Sequence, residues 1–250
     1  MKTVAAVSLS GGQGKTTSSY FLARLLASRG KRVLTIDADP QANLTFYLGQ
    51  EVEPTQPTLL EVINAQVQPS DGIYETAIDR LFLIPADRGL FKVNDFLASS
   101  GAGAFVLKLR LRAVADLFDY CVIDVQPSRS QICLTATGAA DFVLIPCEAN
   151  TKGTNSLIET LNFLEEQQQV TAFSGRVLGV VPFRDRWVGA TQTLESRENI
   201  ETMEEFCSPV FPSIRESEQY KRALRLGKTL GELGHGALEY PFEQIMEALA

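Results

Sequence analysis

The segment Ser8-Leu9-Ser10-Gly11-Gly12-Gln13-Gly14-Lys15-Thr16-Thr17 constrains the fold more than any other feature of this chain. It follows an apolar, strand-like run over 4–9 and precedes a stretch over 16–28 with apolar residues at helical spacing. A glycine-rich turn between strand and helix lets backbone N–H groups converge on phosphate oxygens, next to the positive end of the helix dipole. The segment therefore predicts a phosphate-binding P-loop; the alternative is a plain glycine turn.

A P-loop assigns a role to each of its residues. Lys15 is expected to reach the β- and γ-phosphates, and Thr16 to coordinate Mg²⁺. The predicted nucleotide-binding residues of this loop are Gly11, Gly12, Gln13, Gly14, Lys15, Thr16 and Thr17.

Further strand-like runs occur at 33–36, 81–84, 120–124, 142–146 and 177–181, with helical stretches between neighbours. Strands that alternate with helices predict a doubly wound, mostly parallel α/β sheet with helices on both faces. The acidic, proline-containing stretch 51–57 is short and is interpreted as a surface loop. We therefore expect a single domain over 1–250.

Composition excludes several classes of function. The net charge of −7 means that nucleic-acid binding would require a local basic patch. His235 is the only histidine, which argues against a histidine triad or a zinc site. Cys121 and Cys147 lie in or beside apolar runs and are expected to be buried free thiols. Neither a membrane span nor a signal peptide is apparent, so we expect a cytoplasmic protein.

Two aspartates follow predicted strands. Asp39, in Asp37-Ala38-Asp39-Pro40-Gln41, is placed to orient an attacking water and to help hold Mg²⁺, with Asp37 supporting the geometry. The alternative for Asp39 is an acidic turn. Asp124 ends the strand Cys121-Val122-Ile123-Asp124. A strand that ends in an aspartate is weak evidence for a site by itself and strong evidence together with a P-loop.

Together these motifs resemble the ParA/MinD family of ATPases, whose deviant Walker A motif reads Lys-Gly-Gly-x-Gly-Lys-Thr. The resemblance implies that ATP and Mg²⁺ are the cofactors and that 37–45 is the switch I segment. It also implies that Asp124 is the Walker B aspartate, which usually holds a water of Mg²⁺, so the predicted metal set is Thr16, Asp39 and Asp124. Gln126 departs from the family's usual Asp-Thr-Pro-Pro-Ser sequence after that strand.

Ser10 stands where the family has its first lysine, which reaches the partner's nucleotide across a dimer interface. The substitution resembles the carboxysome-positioning branch of the family, in which a later lysine takes over. The candidate here is Lys152, and the alternative is a solvated lysine at the head of a helix. The predicted catalytic residues are therefore Lys15, Asp39 and Lys152.

The segment 210–215 resembles the family's adenine-contacting segment, which implies that Pro212, Ser213 and Ile214 bind the nucleotide. Pro182 and Phe183 are predicted to form the other side of that site. Apolar packing of a turn is the alternative for this second pair.

A local basic stripe over 215–228 holds Arg215, Lys221, Arg222, Arg225 and Lys228, and Arg184 and Arg186 extend it. In ParA-type relatives this region binds DNA non-specifically once ATP joins two protomers. Doubling the patch in a dimer suits a contact that depends on summed phosphate neutralisation. The alternative is a helix made soluble by its charges.

The resemblance implies an ATP-dependent homodimer that binds nucleoid DNA and positions carboxysomes through a small McdB-type adaptor, which stimulates hydrolysis. A plasmid or chromosome partition ATPase is the nearest alternative. A MinD-like membrane switch would need a basic amphipathic C-terminal helix, whereas 238–244 is acidic and contains a proline. An iron–sulfur reductase would need two suitably placed cysteines, and only Cys133 lies near such a position.

Overall fold

The computed structural model describes all 250 residues, built around one eight-stranded sheet and a two-stranded hairpin. The strands are β1 Lys2–Ala6, β2 Val33–Ala38, β3 Tyr74–Glu75, β4 Leu81–Ile84, β5 Tyr120–Val125, β6 Phe142–Glu148, β7 Arg176–Asp185, β8 Trp187–Val188, β9 Thr191–Gln192 and β10 Ile214–Arg215. The order across the main sheet is β10-β7-β6-β1-β5-β2-β4-β3, and β8 pairs with β9. Every neighbouring pair in the main sheet is parallel except β3 with β4, which confirms the predicted sheet.

Ten α-helices connect the strands: α1 Lys15–Ser28, α2 Asn43–Tyr47, α3 Leu59–Ile63, α4 Val93–Ser99, α5 Val106–Leu111, α6 Gln131–Ala139, α7 Thr151–Gln169, α8 Leu194–Phe206, α9 Glu218–Leu226 and α10 Tyr240–Leu249. Short 3₁₀ segments lie at Pro69–Gly72, Arg88–Lys92, Gly103–Phe105, Arg112–Leu117, Gly231–Leu233 and Gly236–Glu239. The stretch 51–57 contains no helix or strand, as expected for a loop. No helix is long and apolar enough to cross a bilayer.

Side chains alternate across the strands and form one apolar layer on each face of the sheet. Leu34, Ile36 and Ile123 pack on the face covered by α3 to α8, whereas Val33 and Val122 pack on the face covered by α1, α2, α9 and α10. The thiols of Cys121 and Cys147 are buried in the first layer, as predicted. Burial on both faces explains why these strands read as nearly continuous apolar runs.

The first strand ends earlier than its apolar sequence suggests. β1 covers Lys2–Ala6 rather than 4–9, because the chain leaves the sheet there to form the glycine loop before α1. Since β1, β2, β5 and β6 run parallel, the segments after their carboxyl ends meet at one edge of the sheet. Ligands of doubly wound sheets bind at that edge.

Candidate functional site: a nucleotide cleft

The glycine loop between β1 and α1 adopts a backbone that requires glycine at two positions. Gly12 and Gly14 have φ values of 84° and 91°, in the left-handed region. A Cβ on Gly14 would also lie 2.5 Å from the Phe183 ring. The loop therefore has a backbone conformation that glycine adopts readily, and the Phe183 ring packs directly against Gly14.

Lys15 directs its ammonium into this loop. Its Nζ donates hydrogen bonds to the carbonyl oxygens of Ser8 and Ser10, both at 3.0 Å. Burial lowers the pKa of Lys15, and the nearby carboxylates of Asp124 and Asp39 oppose that shift. The hydrogen-bond partners of the Lys15 ammonium are thus two neutral carbonyl oxygens, which phosphate oxygens could replace.

Asp124 is buried at the end of β5. Its Oδ1 accepts a hydrogen bond from the hydroxyl of Ser19 at 3.5 Å, whereas its Oδ2 has no partner. Burial, followed by the charge of Asp37, raises the pKa of Asp124 to about 8 in spite of the Thr16 hydroxyl and Lys15. A buried carboxylate with a free oxygen beside Thr16 fits Mg²⁺, which prefers hard oxygen ligands and keeps several waters.

The two aspartates at the end of β2, Asp37 and Asp39, have different surroundings. Asp37 is buried, and its Oδ2 accepts hydrogen bonds from both N–H and hydroxyl of Thr45 at 2.8 Å. This pairing fixes α2 to the sheet, and burial raises the pKa of Asp37 to about 6. Asp39 is half-buried, and its carboxylate accepts a hydrogen bond only from Gln41 N, at 2.8 Å. Asp39 therefore keeps oxygen lone pairs free to face a water.

Lys152 lies in the first turn of α7, beside the glycine loop. Asn150 caps the helix by accepting a hydrogen bond from Gly153 N at 2.9 Å. The exposed Nζ of Lys152 donates to the carbonyl oxygen of Gly11 at 3.1 Å. The structure thus places this lysine at the loop in which Ser10 replaces a lysine.

The loop opens into a cleft of about 370 Å³. Its lining contains every predicted P-loop residue from Gly11 to Thr17, together with Asp39 and Phe183; Gln41, Asn43, Tyr47, Pro127 and Arg184 were not predicted to line it. Gln41, Asn43 and Tyr47 follow Asp39 within eight positions. Their closeness to Asp39 in the sequence is the signal from which they could have been predicted to line the cleft. A second cavity of about 430 Å³ adjoins the first through Thr17, Tyr47, Phe183 and Arg184.

The other predicted adenine contacts lie elsewhere. Pro182 is buried within β7, and Ile214 is buried in β10 opposite Phe183. Pro212 and Ser213 line a separate cavity with Tyr220 and Leu238. Only Phe183 of this group borders the cleft.

Comparison with known proteins agrees with this geometry. A family model described as an AAA domain matches residues 1–172. "Maintenance of carboxysome distribution protein A" of Synechococcus elongatus is 54% identical over 100% of this chain and 99% of its own length. The solved structure of a Cyanothece McdA variant in complex with ATP has a TM-score of 0.97 and 53% identity, covering 100% of this chain and 96% of that one. The chromosome partitioning protein ParA of Caulobacter vibrioides is 30% identical over 80% of this chain and 72% of its own length.

The chain belongs to the ParA/MinD family of ATPases. The family confirms the ATPase activity and the fold expected from the sequence. The glycine loop, the buried Asp124 and the pair Asp37 and Asp39 all lie at one edge of the sheet in this ATPase.

The cations predicted to bind DNA on this ATPase fall into two groups. Four have intramolecular partners: Arg184 pairs with Glu148 at 2.6 Å, Arg186 with Glu216 at 3.3 Å, Lys221 with Glu218 at 2.9 Å, and Arg215 lies 4.0 Å from the Trp187 ring centroid. The other three, Arg222, Arg225 and Lys228, are exposed and form no ion pair. These three form the free patch on α9 and the turn that follows it.

Proposed function

We propose that this ATPase positions carboxysomes. ATP with Mg²⁺ joins two protomers face to face, the dimer binds nucleoid DNA without sequence preference, and a McdB-type adaptor on the cargo triggers hydrolysis and release. The observation that carries the proposal is Lys152, which lies against Gly11 beside the serine at position 10. Full-length similarity to a carboxysome distribution protein supports the choice of cargo.

Each cleft residue has a task in this cycle. Mg²⁺ would be held by Thr16 and, through waters, by Asp124 and Asp39, and would neutralise charge on the phosphates. Lys15 exchanges its two loop carbonyls for the β- and γ-phosphate oxygens. Asp39 orients the attacking water, and Lys152 leaves Gly11 to reach the partner's nucleotide. A cation supplied from a second molecule contributes on the order of 10³–10⁵ in rate where it has been measured in GTPases.

A mixing experiment tests whether Lys152 acts across the interface. Lys152→Ala alone is expected to weaken ATP-dependent dimerisation and turnover. Adding Asp39→Ala protomers, which keep Lys152 but cannot position water, should restore hydrolysis at the Lys152→Ala protomer's site. Native turnover in Lys152→Ala alone would instead support a solvated lysine, and absence of rescue would place its action within one protomer.

The free patch of Arg222, Arg225 and Lys228 is the proposed DNA contact. Three cations per protomer give six in a dimer, so counterion release predicts a log–log salt slope of roughly −5. Binding should be similar for two unrelated duplexes and should largely disappear with ADP, because the patch is then no longer doubled.

The DNA experiment compares Arg222→Glu/Arg225→Glu with the control Lys92→Glu/Arg112→Glu. The control makes the same charge change at two exposed, unpaired cations outside the patch. Loss of binding only in the first variant supports the patch. Equal loss in both would indicate a response to net charge, and tight binding with ADP would argue against the cycle.

The C-terminal helix supports a DNA-bound cycle over a MinD-like membrane cycle. Phe242, Ile245 and Leu249 of α10 are buried, and Phe242 stacks on Phe21 of α1 at 5.3 Å. The apolar face of α10 is therefore already covered by protein, and the helix carries no lysine or arginine. Flotation with anionic vesicles in the presence of ATP tests this interpretation; co-flotation would favour the membrane cycle.

A further inference from the structure

Gln13 has a side chain that phosphate binding by backbone N–H groups does not explain. The residue is 0% exposed, and its Oε1 accepts a hydrogen bond from Glu148 N at 2.8 Å. Its Nε2 is buried without a partner. An unpaired buried donor destabilises a fold, and an apolar side chain of similar length would avoid that penalty. The hydrogen bond from Glu148 N is therefore the interaction that offsets the cost of burying this amide.

Glu148 is the base of the turn that carries Lys152. Asn150 N donates to the carbonyl oxygen of Glu148 at 2.8 Å, and the Asn150 side chain caps Gly153. Gly153 lies so close that a Cβ there would stand 1.9 Å from the Glu148 carbonyl oxygen. The segment 148–153 is therefore one tightly packed unit. The bond from Glu148 N ties it to the P-loop, and the bond from Ala149 N to the Phe183 carbonyl oxygen, at 2.8 Å, ties it to β7.

The remaining bonds between the loop and α7 do not replace this one. Ser8 and Ser156 hydroxyls lie 3.0 Å apart, and Leu9 N donates to the Thr160 hydroxyl at 3.2 Å, but both contacts hold the helix beyond its first turn. The contact of Lys152 with Gly11 is exposed and must break before the lysine can reach another molecule.

We propose that Gln13 is a positioning residue for Lys152. Its buried amide links the P-loop of a protomer to the lysine-bearing turn, so the lysine projects from a fixed base after it leaves Gly11. The inference rests on the role proposed above for Lys152. It gives the P-loop a second task, since the loop that binds one nucleotide also positions the cation for the partner's nucleotide.

A double-mutant cycle tests the proposal. Gln13→Met keeps the length of the side chain and removes both the acceptor and the unpaired donor. Because a displacement of about 1 Å at a catalytic group costs up to about 100-fold, we expect turnover at saturating ATP to fall 10- to 100-fold, by the same estimate. In the Lys152→Ala background Gln13→Met should cause no further loss, because residues that act as a unit are non-additive.

Stability is measured in parallel by thermal unfolding. The Met variant leaves Glu148 N unpaired but removes an unpaired donor, so its midpoint is expected to stay near the native value. Gln13→Leu removes the same amide and replaces the Met variant if that protein melts early. Ser156→Ala is the matched control, because it removes a loop-to-α7 bond away from the turn and should keep native turnover.

The proposal would be overturned if Gln13→Met slowed turnover equally in the native and Lys152→Ala backgrounds. Native turnover in Gln13→Met would also overturn it. If Lys152→Ala hydrolyses ATP slowly but Gln13→Met is fully active, only the positioning role of Gln13 is rejected. A fully active Lys152→Ala would reject the catalytic lysine, and the positioning role with it.

Discussion

Replacing Gly153 with alanine should destabilise the protein, although alanine is the better helix former. In an exposed helix interior the change would stabilise by about 1 kcal/mol. Here the added Cβ would stand 1.9 Å from the Glu148 carbonyl oxygen and 2.7 Å from the Glu148 carbonyl carbon and nitrogen. Because these are backbone atoms at the end of β6, no side-chain rotation relieves the contact.

The required movement can be estimated from the structure. Cβ atoms essentially never approach a heavy atom within 3.0 Å, so the first turn of α7 must move by about 1 Å. Overpacking of this kind typically costs about 1–3 kcal/mol, which lowers the midpoint of a 250-residue chain by about 2–4 °C per kcal/mol. The same movement displaces Lys152, so turnover should fall by up to about 100-fold.

Thermal unfolding and steady-state ATP hydrolysis measure the two effects. Asn155→Ala is the matched control, because Asn155 is exposed on α7 two residues from Gly153; alanine there should be neutral or slightly stabilising. A Gly153→Ala protein that melts above the native chain would refute the packing argument. A protein that melts early but hydrolyses ATP normally would separate the turn from catalysis.

Three further predictions concern the cleft. Lys15→Gln should abolish ATP-driven dimerisation and hydrolysis, because Lys15 is the one lysine of the loop and its ammonium is held by the loop carbonyls of Ser8 and Ser10; size-exclusion chromatography with ATP and Mg²⁺ tests this, and a normal dimer would remove Lys15 from the site. Asp39→Ala should trap an ATP-bound dimer, whereas failure to bind ATP would show a role in folding or metal binding. The pKa of about 8 at Asp124, above its unfolded value, means that its stabilising contribution is complete below about pH 4 and is lost as pH rises towards 8. Between pH 6 and 8 the nucleotide-free protein should therefore lose stability at up to about 1.4 kcal/mol per pH unit, and denaturant titrations of Asp124→Asn should lack this loss.

Local sequence patterns were sufficient to predict the sheet and the glycine loop at its edge. Continuous apolar runs indicate strands buried on both faces, and the glycine spacing before Lys15 is typical of a phosphate-binding turn. The positions of Asp39 and Asp124 were predictable for the same reason, since Asp39 directly follows β2 and Asp124 lies at the end of β5. Each of these features is set by residues that are close together in the sequence, so it can be recognised from the sequence alone.

Tertiary structure decided which side chains are free and which are engaged. The stripe over 215–228 contains five similar cations, and the folded chain shows that Arg215 lies over Trp187 and that Lys221 pairs with Glu218 on the same helix, which leaves three cations without a partner. Gln13 belongs to the glycine loop, as its sequence position indicates, but only the folded chain shows that its side-chain amide accepts a hydrogen bond from Glu148 N, 135 positions away. The bond between Gln13 and Glu148 joins distant segments through the packing of β6 and α7 against the loop, and no periodicity or spacing in the sequence predicts it.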